Sequence, residues 1–86
     1  MELKKKIGKR IHEIRQKNCL KQSEIAEKVG IATKHQSCIE TGKNYPSAEL
    51  VEKYAKVFNI DAADILAIAN DDEIVIAYRI LNTIIN

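Results

Sequence analysis

The sequence has few of the residues that interrupt helices and few that cross-link small domains. Its 86 residues include one proline, three glycines and two cysteines. With so few breaks, most of the chain is typical of helix, and no segment shows the sustained alternation of apolar and polar residues that marks a strand. The two cysteines, Cys19 and Cys38, accompany no secretory signal, so we expect reduced thiols in a cytoplasmic protein.

Long apolar runs are also absent. The most apolar stretch, IVIAYRILNTII at residues 74–85, is too short for a membrane span and is interrupted by Arg79 and Asn82. The start of the chain, MELKKKIGKR, is positively charged, but the apolar run that a secretory signal needs does not follow it. The length predicts a single domain with a modest core, and the short apolar stretch predicts no membrane partner.

The formal net charge is +2, but the two halves of the chain differ strongly. Residues 1–45 contain eleven lysines and arginines against five acidic residues, whereas residues 46–86 contain three against seven. A basic half beside an acidic half indicates that one end of the molecule meets a polyanion. A solvated, lysine-rich helix produces the same distribution, so charge alone leaves both interpretations open.

Apolar spacing and capping residues predict three helices in the first half of the chain. The stripe of the first helix consists of Leu3, Ile7, Ile11 and Ile14. A second helix is predicted over residues 22–29 and is closed by Gly30, which suits the left-handed conformation after a helix. A third begins at Thr33, as its N-cap or a first-turn residue, and runs to the residue before Gly42.

Three further helices are predicted after the KNYP loop. Ser47 caps the fourth, whose apolar stripe consists of Leu50, Val51, Tyr54, Ala55 and Phe58. Asp61 opens a fifth. The acidic cluster at residues 71–73 starts a last helix that runs to near Ile85, because acidic side chains favour the positive end of a helix dipole. The predicted fold class is therefore all-α.

Two short helices joined by a turn that contains glycine, as at residues 22–41, predict a helix-turn-helix. In that geometry the first helix lies across the DNA backbone and the second enters the major groove, led by its N-terminal residues. Side chains that meet base edges are polar or small, as in the run TKHQSC at residues 33–38. We expect these six side chains to project outward, with Ile31 and Ile39 holding the helix from behind.

The segment from Ile7 to about Leu66 resembles the phage-repressor/Cro-type helix-turn-helix domain, also called the XRE family. The resemblance depends on QSEIAEKVGI, IETGKNYPS and ELVEKYAKVFNI taken together. It implies a five-helix, lambda-repressor-like DNA-binding domain over residues 1–69, to which residues 70–86 add a C-terminal helix. It also implies a transcriptional regulator, a repressor in our interpretation, that binds double-stranded operator DNA as a homodimer.

The resemblance assigns roles to three sets of residues. Candidates for base contacts are Thr33, Lys34, His35, Ser37 and Cys38. Candidates for phosphate contacts are Gln22, Lys43 and Asn44, the first of which also braces the recognition helix. The third set is an ion pair that ties the first helix to the end of the third, Arg15 and Glu40. If that pair is buried, losing one partner should cost about 3–5 kcal/mol.

Three positions depart from the family pattern. Gln36 stands where the family usually has an aliphatic residue facing the core, which predicts either an edge position or a slightly rotated helix. Cys19 stands at a turn position that is often glycine, so the end of the first helix is expected to differ. Lys34 is the only residue of the reading face that could make the common contact of a basic side chain with guanine.

Other chemistries have little support in the sequence. His35 and Cys38 share one helical face, but a structural zinc site usually needs four ligands in paired spacings, so we predict no metal site and no cofactor. Cys38 is either a small tolerated side chain or, if it lies at the DNA, a redox-sensitive thiol. The chain has no nucleophile elbow and no glycine-rich phosphate loop, so we predict that it is not an enzyme.

The C-terminal segment carries more apolar surface than one docked helix face needs. Its apolar residues spread over an arc of about 200° on a helical wheel. A two-fold dimer would bury the surplus, with the interface formed by Ile74, Ile76, Tyr78, Ile80, Leu81, Ile84 and Ile85. Two alternatives stay open: deep packing on the domain's own core, and an antitoxin-like or adaptor module whose C-terminal helix binds an unidentified protein.

Overall fold

The computed structural model describes residues 3–66, which form five α-helices and no strand. Their bounds are α1 Leu3–Lys17, α2 Gln22–Val29, α3 Thr33–Glu40, α4 Ala48–Phe58 and α5 Ala62–Ile65. The all-α, five-helix prediction is confirmed. Within this range no helix has the length and apolar character that a membrane crossing requires. The predicted last helix, the domain boundary at residue 69 and the seven predicted dimer residues lie outside the described residues.

Capping interactions fix most helix ends where the sequence predicted them. Gly30 follows α2 with a φ of 79°, and its N–H group donates to the last carbonyls of that helix. Ser47 precedes α4, and its hydroxyl oxygen accepts a hydrogen bond from the Leu50 N–H at 3.1 Å. At α3 the N-cap position belongs to Ala32, whose backbone is extended, so Thr33 is the first helical residue and not the cap.

The turn between α1 and α2 contains a strained residue. Cys19 has a φ of 55°, in the left-handed region that glycine adopts readily and that a side chain disfavours. The Asn18 side chain donates to the Ile14 carbonyl at 2.7 Å, and the Leu20 N–H donates to the Arg15 carbonyl at 3.2 Å. These bonds close the end of α1 and hold Cys19 in its conformation.

The core contains apolar side chains from all five helices. The fully enclosed ones include Ile7, Ile11, Ile25, Ile39, Tyr54 and Ile65. The rings of Tyr54 and Phe58 stack one turn apart on α4, with centroids separated by 6.0 Å. Each buried stripe recurs every three or four residues, because that spacing brings side chains onto one face of a helix.

Gly8 allows α1 and α3 to approach closely. A Cβ atom at this position would lie 2.2 Å from the Ile39 carbonyl oxygen and 2.9 Å from that of Glu40. Real side-chain carbons do not come that close to backbone, so only glycine permits this crossing. The C-terminal end of α3 therefore packs directly on α1, and this contact fixes the position of the N-terminal half of α3.

Candidate nucleic-acid interface

The α2 and α3 helices form the two arms of a helix-turn-helix. Only Gly30, Ile31 and Ala32 separate them, and the Ile31 N–H donates to the Ala26 carbonyl at 2.9 Å. Ile31 is half-buried against the core. A turn this short, bonded back to α2 and anchored by an apolar side chain, sets the angle between the helices.

The five predicted base-contacting residues are accessible on α3. Thr33, Lys34 and His35 are exposed, while Ser37 and Cys38 are half-buried. At about 100° per residue, Lys34, Ser37 and Cys38 lie on the face opposite the buried stripe, with the other two on its flanks. In the following text this set of five is called the reading face.

Gln36 corrects the expectation that all six side chains of residues 33–38 point outward. It is fully buried, so it does not lie at the edge of the core. Its amide oxygen accepts a hydrogen bond from the Tyr54 hydroxyl, and its amide nitrogen donates to a Glu40 carboxylate oxygen at 2.6 Å. A polar side chain is tolerated here because both ends of the amide have partners, which removes the usual penalty for burial.

Arg15 and Glu40 are paired and almost enclosed. The guanidinium donates to both carboxylate oxygens, from Nε at 2.8 Å and from a terminal nitrogen at 2.9 Å. The other terminal nitrogen donates to the Leu20 carbonyl at 2.8 Å. The side chains of Arg15 and Glu40 are 10% and 3% exposed. The pair therefore joins α1, the α1–α2 turn and the last residue of α3.

Three more side chains donate to the same carboxylate. Oε1 of Glu40 accepts from Nδ1 of His12 at 2.6 Å and from the Gln22 amide at 3.3 Å, while Oε2 accepts from Gln36. The sequence analysis assigned no role to His12. Its spacing of three residues from Arg15 was the available signal, because such neighbours share a helix face and reach the same partner.

The hydrogen bonds determine the charge state of this cluster. Burial alone would raise the pKa of the Glu40 carboxyl, but donation from Arg15, Gln36, His12 and Gln22 outweighs it and lowers the pKa to about 2. Burial, together with the negative charge of Glu40, raises the pKa of the Tyr54 hydroxyl. Glu40 is thus an ionised acceptor and Tyr54 a neutral donor under ordinary conditions.

The predicted phosphate-contacting residues adjoin the C-terminal half of α3. Gln22 is the first residue of α2 and is half-buried, with its amide on Glu40. Lys43 and Asn44 are exposed in the loop after α3. The backbone N–H groups of these two residues donate to the Cys38 carbonyl at 2.9 and 3.3 Å, which fixes the loop to the helix.

The remaining candidates from the sequence are a metal site and a reactive cysteine. Among residues 3–66, no three His, Cys, Asp or Glu side chains come together as a metal site would need. Cys19 is exposed and Cys38 is half-buried, and both are free thiols.

Known proteins that are similar to this chain are also helix-turn-helix proteins. The profile of a family described as "Helix-turn-helix domain" matches residues 8–71. Two proteins of Archaeoglobus fulgidus, each named an uncharacterized HTH-type transcriptional regulator, are 42% and 41% identical over 65 and 56 residues. These alignments cover 76% and 65% of this chain, and 91% and 79% of the relatives.

Solved structures share the fold. The clp gene regulator ClgR from Corynebacterium glutamicum has a TM-score of 0.76 at 20% identity, over 99% of this chain and 90% of its own. The restriction-modification controller protein C.AhdI from Aeromonas hydrophila has a TM-score of 0.68 at 24% identity, over 71% and 92%. Together with the family profile and the A. fulgidus relatives, they show that this chain belongs to the XRE-like helix-turn-helix family of DNA-binding transcriptional regulators.

Proposed function

We propose that this regulator is a repressor that binds a pseudo-palindromic operator as a homodimer and reads it with α3. The observation that carries the proposal is the contrast between the two sides of α3. Its N-terminal outer side is exposed and polar, whereas its inner side is held by Ile39, Gln36 and Glu40. A helix fixed this firmly presents its outer side chains to a duplex without first having to be ordered.

The base contacts in this proposal come from the reading face. Thr33, Lys34 and His35 lead the helix into the major groove, and Ser37 and Cys38 follow one turn later. Lys34 donates to guanine O6 or N7, since it is the cation on this face. The hydroxyl and thiol groups suit the smaller contacts with acceptors or with the thymine methyl group.

The phosphate contacts come from both sides of α3. Gln22 meets one phosphate at the start of α2, and Lys43 and Asn44 meet another beyond the end of α3. Such contacts fix the orientation of the protein on the duplex but carry no sequence information. They make the affinity fall with salt concentration, because each neutralised phosphate releases counterions.

A second subunit extends the reading to two half-sites. The eight residues of α3 span about 12 Å, which limits one domain to a few base pairs. Two recognition helices about 34 Å apart read two half-sites separated by one turn of DNA. In this proposal the two-fold contact is made by the apolar residues of segment 74–85, and repression follows because the bound dimer occupies the operator.

In vitro selection from randomised duplexes tests the reading assignment. We expect Lys34→Ala to change the preferred base at one position of each half-site, while Lys43→Ala weakens all sequences similarly and keeps the preference. The second variant is the matched control, because it also removes one exposed lysine next to α3. Identical preference profiles for the two variants would reject the assignment of α3 as the reading helix.

Sedimentation of the free protein tests the dimer separately. We expect a two-subunit species at micromolar concentration, and a monomer when Ile80 and Ile84 are both changed to Asp. Ile80→Ala with Ile84→Ala is the matched control, since it shortens the side chains without adding charge. A monomeric wild-type protein that still selects a two-fold symmetric sequence would contradict this part of the proposal.

A further inference from the structure

His12 belongs to the Glu40 cluster and keeps a large accessible surface. Its side chain is 40% exposed, whereas the carboxylate to which it is bonded is 3% exposed. Because Nδ1 faces inward to Glu40, the accessible edge of the ring is the one that carries Nε2. Within residues 3–66 no hydrogen bond reaches that nitrogen.

The position of His12 places this edge beside a proposed phosphate contact. Nδ1 of His12 and the amide nitrogen of Gln22 lie 2.6 and 3.3 Å from the same oxygen of Glu40. The two nitrogens are therefore less than about 6 Å apart, so a phosphate at the start of α2 lies within reach of the imidazole.

The neighbours of the ring determine which nitrogen carries the proton. The ionised Glu40 carboxylate only accepts, and its oxygen lies 2.6 Å from Nδ1, so Nδ1 must donate. The Arg15 guanidinium lies 3.1 Å from Nδ1 and can only donate. A protonated Nδ1 has no lone pair to accept from it, so the two groups are in contact without a hydrogen bond. Neutral His12 consequently has its proton on Nδ1 and a bare lone pair on Nε2.

A bare lone pair cannot bind a phosphate oxygen, because both groups are acceptors. The imidazolium, with a second N–H group on Nε2, can. The charged groups within hydrogen-bond distance of the ring are Glu40 from α3 and Arg15 from α1 itself, and the α2 side chain on the same carboxylate is the uncharged amide of Gln22. A phosphate arriving at the exposed edge adds negative charge there and favours protonation.

We propose that His12 is a further phosphate-contacting residue and that its contact requires the imidazolium, so each DNA-bound domain takes up a proton. The inference depends on the proposed placement of DNA across the start of α2. It goes beyond that placement because it couples affinity to pH through one named side chain.

DNA-binding titrations at several pH values test the proposal. We expect the dissociation constant for wild-type protein to fall about threefold to tenfold between pH 8 and pH 6, the range in which imidazole changes charge. The plot of log K against log salt concentration should steepen over the same range by about 0.9 for each bound domain, and so by about 1.8 for the proposed dimer, because one more phosphate is neutralised per domain.

Substitution of each histidine separates the two imidazoles of the chain. His12→Asn keeps a donor for Glu40 at the position of Nδ1 and removes Nε2, so both pH effects should disappear. His35→Asn is the matched control. Because a backbone contact is independent of sequence, this variant should keep both effects on an unrelated duplex, where His35 has no selected base to contact.

NMR titration of wild-type protein covers the case in which His12→Asn fails to fold. When an unrelated duplex is added at a fixed pH near 7, the ring-nitrogen signals of His12 should move toward the positions of an imidazolium, and unchanged signals would overturn the proposal. DNA binding whose pH and salt dependence is the same in wild-type protein and in folded His12→Asn would also overturn it, leaving the proposed function intact. Absence of duplex binding at every pH would instead reject the function itself.

Discussion

Glu40→Gln should destabilise the folded protein by about 3 kcal/mol at pH 7. The carboxylate accepts five hydrogen bonds, from Arg15 twice and from three other side chains, and is 3% exposed. An amide of the same shape keeps one acceptor and turns an N–H group toward Arg15. Breaking a buried pair by removing one charge typically costs about 3–5 kcal/mol.

The pKa of Glu40 gives an independent estimate of the same quantity. Folding lowers it from 4.5 to about 2. Each pKa unit corresponds to about 1.4 kcal/mol, so the ionised group stabilises the fold by about 3 kcal/mol. Because the folded-state pKa is the lower one, this stabilisation is complete above about pH 5 and is lost as the pH falls toward 2.

Urea unfolding followed by circular dichroism measures the effect. Comparing wild-type protein with Glu40→Gln at each pH cancels the titration of the other carboxyl groups. The difference in unfolding free energy should be about 3 kcal/mol at pH 7 and should shrink steadily between pH 5 and pH 2. A difference below 1 kcal/mol at pH 7, or one that stays constant with pH, would refute the reasoning.

Two further substitutions test the local arguments. Cys19→Gly should raise the unfolding free energy by about 0.5–1 kcal/mol, because relief of the left-handed strain exceeds the added flexibility of the unfolded chain; a lower melting temperature would contradict this. Tyr54→Phe should lower it by about 1–3 kcal/mol, since it leaves the buried oxygen of Gln36 without a donor. Adding Gln36→Leu to Tyr54→Phe should recover part of that loss, and an additive second loss would contradict the argument.

Local signals in the sequence were sufficient for the five helices that the structure describes. Gly30 and Ser47 mark ends that the structure confirms, because a left-handed glycine and a hydroxyl cap act on backbone groups within four residues. The apolar stripe of α1 was also predictable from the sequence, since its isoleucines recur every three or four positions. Cys19 was recognised as unusual because glycine is common at that turn, and its φ of 55° explains why.

The polar interior of the domain could not be predicted in the same way. Gln36 contacts Tyr54 across 18 positions of sequence and His12 contacts Glu40 across 28, and no local pattern reports such distances. The family pattern favours an aliphatic residue at position 36, where this chain satisfies a buried amide from two helices. The identities of the residues on the reading face are also weakly determined by the fold, because an exposed position requires only a side chain that can face solvent.

NMR chemical-shift mapping of labelled protein with a selected duplex tests most directly whether α3 reads DNA. The account predicts the largest amide changes on the reading face of α3, at Thr33, Lys34 and Ser37, with smaller ones at Gln22 and Lys43. The amide of Ile39, whose side chain lies on the buried face of α3, should change little. Large changes confined to α4 and α5, with the reading face unaffected, would contradict the account.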